Sequence, residues 1–179
     1  MKLKEISEEF DQIRFPGGTS KEGDHFCCAI TYKYVPETKK VMFLVVPYNS
    51  EAHKTQRNHV VDTSKNENES PEETLIRESF EETGLVPKIF KEMHYIRKTG
   101  PNRSKPGELH TKMYFLVEEA EGKLLEFSGH NPIDPETAAP IWMEYKELYA
   151  RLFPGHIKAL DAAVKILRMD KHCCMAFGY

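Results

Sequence analysis

Three glutamates, Glu78, Glu81 and Glu82, stand close together in the chain, directly after Arg77, and Glu69 lies eight positions before that arginine. On a helix, carboxylates spaced i, i+3 and i+4 share one side, and like charges at that spacing cost about 0.2–0.5 kcal/mol per pair. Something must offset them. One solution is a solvated helix face with Arg77 as local counter-ion. The other is a site for a hard divalent cation, because Mg²⁺ takes oxygen ligands, keeps several waters and shares its remaining positions with substrate phosphates. The acid spacing alone leaves both open.

The segment that must present these acids carries its own start and stop. Ser70 fits an N-cap, Pro71 supplies a fixed φ at the first helical position, and Glu73 three residues after the serine completes a capping box. Gly84 suits the left-handed position that ends a helix, with Leu85 as the apolar residue after it. A helix over Pro71–Thr83 is predicted. Turning each residue by about 100° places Ile76, Phe80 and Thr83 on a packing face and the three glutamates on another.

The run Arg77-Glu-Ser-Phe-Glu-Glu-Thr-Gly-Leu85, with Glu69 in register, resembles the signature of the Nudix hydrolases. That resemblance implies that Glu78, Glu81 and Glu82 hold a catalytic Mg²⁺ or Mn²⁺, while Glu69 and Arg77 pair and fix the loop against the helix. It also implies an α/β fold, an α/β/α sandwich around a mixed β-sheet. Two positions depart from the pattern. Thr63 stands where the family's opening glycine belongs, preceded by Asp62 where a second glycine is common, and Ser79 replaces an aliphatic residue. A glycine permits backbone shapes that a β-branched threonine resists.

Composition bounds the remaining choices. A chain of 179 residues with 40% hydrophobic and 30% charged residues suits one globular domain over residues 1–179. The first ten residues are too charged for a secretory signal, and the apolar run Val41 to Val46 is too short to span a bilayer, so a cytoplasmic protein without membrane partners is expected. A formal charge of −3 gives no global attraction to nucleic acid. The four cysteines form two adjacent pairs, Cys27-Cys28 and Cys173-Cys174, which is not metal-finger spacing; the first pair reads as strand residues and the second as a reduced tail.

Along the chain, Leu3, Ile6, Phe10 and Ile13 suggest a short amphipathic helix over about 3–13. Residues 25–35 and 40–48 read as strands joined by a hairpin at Pro36-Glu-Thr-Lys39. A long polar connection from Asn49 to about His59 carries Arg57, a candidate ligand contact. Strands are expected over Lys88–Lys98, Leu109–Glu118 and Ile141–Tyr145, and helices over 146–153 and about 155–168. Ile157, Leu160, Ala163, Val164 and Leu167 form the buried stripe of the last helix, and Trp142 is expected in the core. The loop Arg97–Gly107 gathers Arg97, Lys98, Arg103 and Lys105, cations that would hold phosphate oxygens or simply solubilise a hairpin tip.

These features give a reaction class. Hydrolysis of a nucleoside diphosphate linked to another moiety needs cations bridging phosphate oxygens and a water deprotonated for in-line attack. Glu118, Asp134 and Glu136 are the candidates for the base. NDP-sugars, ADP-ribose, dinucleoside polyphosphates and NTPs all suit the resemblance, which also suggests a homodimer. The alternative is a Nudix-like nucleotide-binding module with weakened catalysis. A remoter one is a calcium-binding loop, since Asp62, Ser64, Asn66, Asn68, Ser70 and Glu73 fall at EF-hand ligand positions, although Glu67 occupies the place of the required glycine.

Overall fold

The computed structural model describes residues 26–48, 58–64, 69–101, 109–129, 131–133, 137–170, 173 and 177. The helix expected over residues 3–13 lies outside them.

The first strand organises the sheet. β1 (Phe26–Val35) is followed by β2 (Lys40–Pro47), and the two pair antiparallel across the expected hairpin, with Tyr32 opposite Phe43. Thr38 N–H donates to the Val35 carbonyl, and Lys39 adopts φ 54° to complete the turn. Side chains alternate across β1: Cys27 and Ala29 enter one cluster, Cys28 and Ile30 the other.

Two short strands follow. β3 (Asn58–His59) pairs with the end of β2, so the connection expected to run to His59 ends in a strand. β4 (Val61–Ser64) pairs antiparallel with the start of β1. After helix α1 (Pro71–Thr83) come β5 (Leu85–Pro101) and β6 (Leu109–Gly122), which pair antiparallel with several register shifts. β6 lies parallel to β1, with Cys28 opposite Tyr114, so the sheet is mixed, in the order β3-β2-β1-β6-β5. β7 (Ile141–Glu144) adds to β2, and α2 (Tyr145–Arg151) and α3 (Pro154–Arg168) close the described chain.

The two helical layers bury different faces. Leu75 of α1 packs with Cys27, Ala29, Met113, Phe115 and Val117. On the other face, Leu148, Leu160, Ala163 and Leu167 from the last two helices cover Cys28, Ile30, Phe43 and Leu116. This is the expected α/β/α sandwich. No described helix is long and apolar enough to cross a membrane.

Several boundaries differ from expectation. β5 runs on through Arg97 to Pro101, where a loop was expected, because antiparallel pairing with β6 supplies partners for a polar backbone that the local composition marks as turn. Trp142 is only half-buried, with the Lys33 ammonium 4.2 Å above its ring. In α3, Ile157 is half-buried, while His156, one position earlier, is buried completely.

Candidate active site

α1 forms as its termini dictate. Ser70 Oγ accepts from Glu73 N–H, and Glu73 Oε2 accepts from Ser70 N–H at 2.7 Å, closing the capping box. At the other end Gly84 sits at φ 76° and donates its N–H to the Phe80 carbonyl. A Cβ here would lie 2.4 Å from the Lys123 carbonyl oxygen, so glycine is required by space as well as by φ.

The helix is rotated from the orientation its apolar residues suggest. Phe80 is 50% exposed and Ile76 half-buried, whereas Leu75, Ser79, Thr83 and Glu82 are buried. Small side chains at 79 and 83 let α1 settle on Leu75, so shape complementarity outweighs the pull of Phe80. Ser79 therefore belongs to the packed face; its Oγ is buried without a hydrogen-bond partner among the described residues. The rotation carries Glu82 to the sheet side and leaves Glu81 at the solvent edge.

Arg77 gathers the acids. Its Nε donates to Glu69 Oε1 at 2.6 Å and its Nη2 to Glu69 Oε2 at 3.0 Å, a bidentate pair. Nη1 donates to Glu78 Oε1 and, at 3.1 Å, to Glu81 Oε2. The Glu69 hydrogen bond holds the guanidinium pKa above its ordinary value against the opposing effect of burial, and Glu78 adds to it. Thr74 Oγ1 also donates to Glu69 Oε2, at 3.1 Å. Asn131, buried in the loop after β6, donates its amide to the Glu81 carbonyl at 3.1 Å and ties that loop to the last turn of α1. Arg77 thus gathers three acids, Glu69, Glu78 and Glu81, while Glu82 is buried on the same helix; carboxylates are hard oxygen donors of the kind that Mg²⁺ takes.

The other expected site residues are more dispersed. Glu118 is exposed and paired with Lys91 at 2.5 Å. Val117 beside it packs with Leu75, so Glu118 points to the face away from α1. Arg97 lies in β5 opposite Lys112, its side chain outside the described set. Arg57, Arg103, Lys105, Asp134 and Glu136 lie outside the described residues.

At the signature's opening, Thr63 pairs with Cys27 within β4. Lys39 is the sole non-glycine residue with positive φ among those described, so Thr63 occupies extended backbone of the kind β-branched residues favour. Strand pairing also rules out the calcium-loop reading: Asp62 to Ser64 are strand, Asp62 is ion-paired with Lys112, and Ser70 and Glu73 cap a helix.

Two groupings were not foreseen from sequence. Asp62 accepts from the Cys28 thiol (Sγ to Oδ1 3.3 Å) and from Lys112 Nζ, and His156 Nε2 lies 3.4 Å from its Oδ2. Burial would raise the Asp62 carboxyl, but His156 and the Lys112 charge outweigh it and hold its pKa well below the usual carboxylate range. The one available signal was that His156 falls on the helical stripe of Leu160, Ala163 and Leu167. The second grouping is aromatic. His59 stacks on Phe153 with centroids 4.9 Å apart, and Tyr48 lies 4.6 Å from His59.

Residues 38–163 match the NUDIX domain family. The chain belongs to the Nudix family. The signature helix and the mixed-sheet sandwich are thus the Nudix fold, and the family's pyrophosphohydrolase chemistry on nucleotide-linked compounds is the class of activity of this Nudix enzyme. Family members generally use divalent metal ions. No curated protein matches the sequence.

Solved structures share the fold at low identity. The NUDIX domain of Shewanella oneidensis NrtR, complexed with ADP ribose, is 15% identical with a TM-score of 0.61, over 93% of this chain and 99% of that one. A MutT NUDIX hydrolase from Burkholderia pseudomallei is 15% identical with a TM-score of 0.60, over 79% and 98%. A C. elegans Ap4A hydrolase in a binary complex is 11% identical with a TM-score of 0.58, over 81% and 98%.

Proposed function

We propose that this Nudix enzyme is a Mg²⁺- or Mn²⁺-dependent hydrolase that cleaves a diphosphate linkage in a nucleoside diphosphate joined to another group. The observation that carries the reading is the convergence of Glu69, Glu78 and Glu81 on the single cation Arg77. Three carboxylates meet on one guanidinium, a concentration of hard oxygen donors on one helix and the loop before it. Glu78, Glu81 and Glu82 are the proposed metal ligands, with Glu69 and Arg77 as the pair that holds the loop on the helix. The metal, when bound, polarises phosphate oxygens and acidifies a water.

The chain's own residues supply the rest. Asn131 anchors the loop leading to Asp134 and Glu136, the proposed bases, beside the last turn of α1. Arg57, Arg97, Arg103 and Lys105 are proposed to contact phosphate. Phe153, 41% exposed and stacked on His59, offers a flat surface of the kind on which a nucleobase stacks.

A second reading, a nucleotide-binding module without turnover, is motivated by Thr63 and by the ADP ribose held by the NrtR domain of the same fold. Extended backbone at Thr63 favours the hydrolase. The deciding experiment is product mass and phosphate release from the purified protein with NDP-sugars, ADP-ribose, dinucleoside polyphosphates and NTPs, with and without Mg²⁺. Metal-dependent cleavage at a diphosphate is expected. Ligand-induced stabilisation without turnover on any substrate would replace it with the binding module.

A further inference from the structure

The buried polar group on the far side of the sheet is not needed for that chemistry. Cys28 and Ile30 pack under α3, whereas Cys27 and Ala29 face Leu75 of α1, so the two groups are separated by the sheet. Cys28 Sγ, an Asp62 carboxylate oxygen and a His156 ring nitrogen come from three different elements and lie within 4.8 Å of one another. Strand register explains two of them: Asp62 lies directly opposite Cys28 across the β4–β1 ladder. His156 descends from the first turn of α3.

The His156 ring is held from behind. Its Nδ1 is 3.0 Å from the hydroxyl of Tyr114, the residue beside Cys28 in β6, and Nε2 is turned toward Asp62. An outer hydrogen bond on one ring nitrogen with the other aimed at the ligand group is how metal-binding histidines are oriented. Tetrahedral zinc, with bonds of about 2.0–2.3 Å, sets its ligand atoms roughly 3.3–3.7 Å apart. Cys28 Sγ lies 3.3 Å from Asp62 Oδ1 and His156 Nε2 lies 3.4 Å from Oδ2, one on each carboxylate oxygen, and the three ligand atoms lie within 4.8 Å of one another, so side-chain rotations of about an ångström bring them to that spacing.

We propose that Cys28, Asp62 and His156 form a second metal site, for Zn²⁺ or a similar borderline divalent ion, that straps α3 to β1 and β4. The thiol, carboxylate and imidazole are a mixed donor set that such ions accept and that Mg²⁺ does not seek. Binding transfers the Cys28 thiol proton to solvent and forms a metal–thiolate bond. The proton on His156 Nε2 also leaves that nitrogen, passing by way of solvent to Nδ1, where the Tyr114 hydroxyl accepts its hydrogen bond, so a neutral imidazole adds no second released proton. It also moves Lys112, which stays protonated, off Asp62 Oδ2. Lys112 is the competing cation, with 16% of its side chain exposed. Burial and the Asp62 charge keep the thiol protonated in the metal-free protein, so affinity rises with pH.

The test is Co²⁺ titration of the full-length reduced protein in excess Mg²⁺, read by the near-ultraviolet thiolate-to-cobalt absorption. The glutamate cluster contains no sulfur and cannot produce this band, so the result is independent of hydrolysis. One equivalent of Co²⁺ should develop the band, and Zn²⁺ should abolish it. Cys28→Ser should lose it, and Tyr114→Phe should weaken Co²⁺ binding by about tenfold or more. Lys112→Met should bind more tightly than the native chain, and Zn²⁺ should restore its melting temperature. Absence of the band in the native chain, or its survival in Cys28→Ser, overturns the proposal. Binding by Lys112→Met alone overturns it as well, because the native lysine would then keep the site closed.

Discussion

The two ionic groups on opposite faces of the sheet are built on opposite principles. On the α1 side, Arg77 is shared by Glu69, Glu78 and Glu81, and Glu81 keeps 35% of its side chain exposed. On the α3 side, Asp62 is paired with Lys112, their side chains 12% and 16% exposed, with His156 only 1% exposed beside it. The first group reaches solvent through Glu81. The second is buried, and a further cation reaches Asp62 Oδ2 only by displacing the lysine. The two groups thus differ in access to solvent more than in the number of acids.

That contrast can be broken at either face. The largest effect is expected on activity from Glu82→Gln, which removes the charge of a proposed metal ligand on α1 while keeping its shape: kcat should fall about 10²–10³-fold, with little change in melting temperature. Steady-state kinetics beside a thermal melt separates the two. A large loss of stability with unchanged kcat would mean that Glu82, buried as it is, serves packing instead.

On the other face the expected balance is reversed. Asp62→Asn removes the carboxylate charge from a largely buried ion pair with Lys112 and should cost about 3–5 kcal/mol of stability at neutral pH, measured by urea denaturation. The pH dependence has a defined sign. Asp62 has a depressed pKa when folded, so its contribution is complete above the unfolded carboxyl pKa of about 4 and fades as pH falls through that value toward the folded one. The gap between native and Asp62→Asn proteins should therefore narrow at pH 3. A gap independent of pH would place the cost in packing rather than charge.

The smallest effect tests whether presentation and chemistry are separable. Ser70→Ala removes the side-chain half of the capping box without touching an acid of the cluster. A loss of about 1 kcal/mol in stability is expected, with kcat near the native value. A collapse of activity would show that the N-terminal turn of α1 fixes the site directly.

How much of this was legible depended on the range of the interactions. Pro71–Thr83 was readable to the residue because the Ser70–Glu73 box and Gly84 act within one turn. Glu69 and Arg77 stand at fixed spacing in the signature, and they pair. The face on which α1 settles was not readable, since the apolar residues favoured Phe80 while the fit of Leu75, Ser79 and Thr83 against the sheet turned Phe80 outward. Composition likewise marked Arg97 to Pro101 as loop, and pairing with β6 made it strand.

The sequence by itself determined the signature helix, its caps, the order of most strands and the family resemblance, because each rests on side chains a few positions apart. Tertiary structure decided the parallel placement of β6 on β1 and the meeting of Cys28, Asp62, Lys112 and His156. Those four residues come from β1, β4, β6 and α3, and nothing local to any of them names the others. The sheet register and the packing of α3 bring them together. Burial then makes their charges matter, because ions withdrawn from water must find partners among whatever the fold supplies.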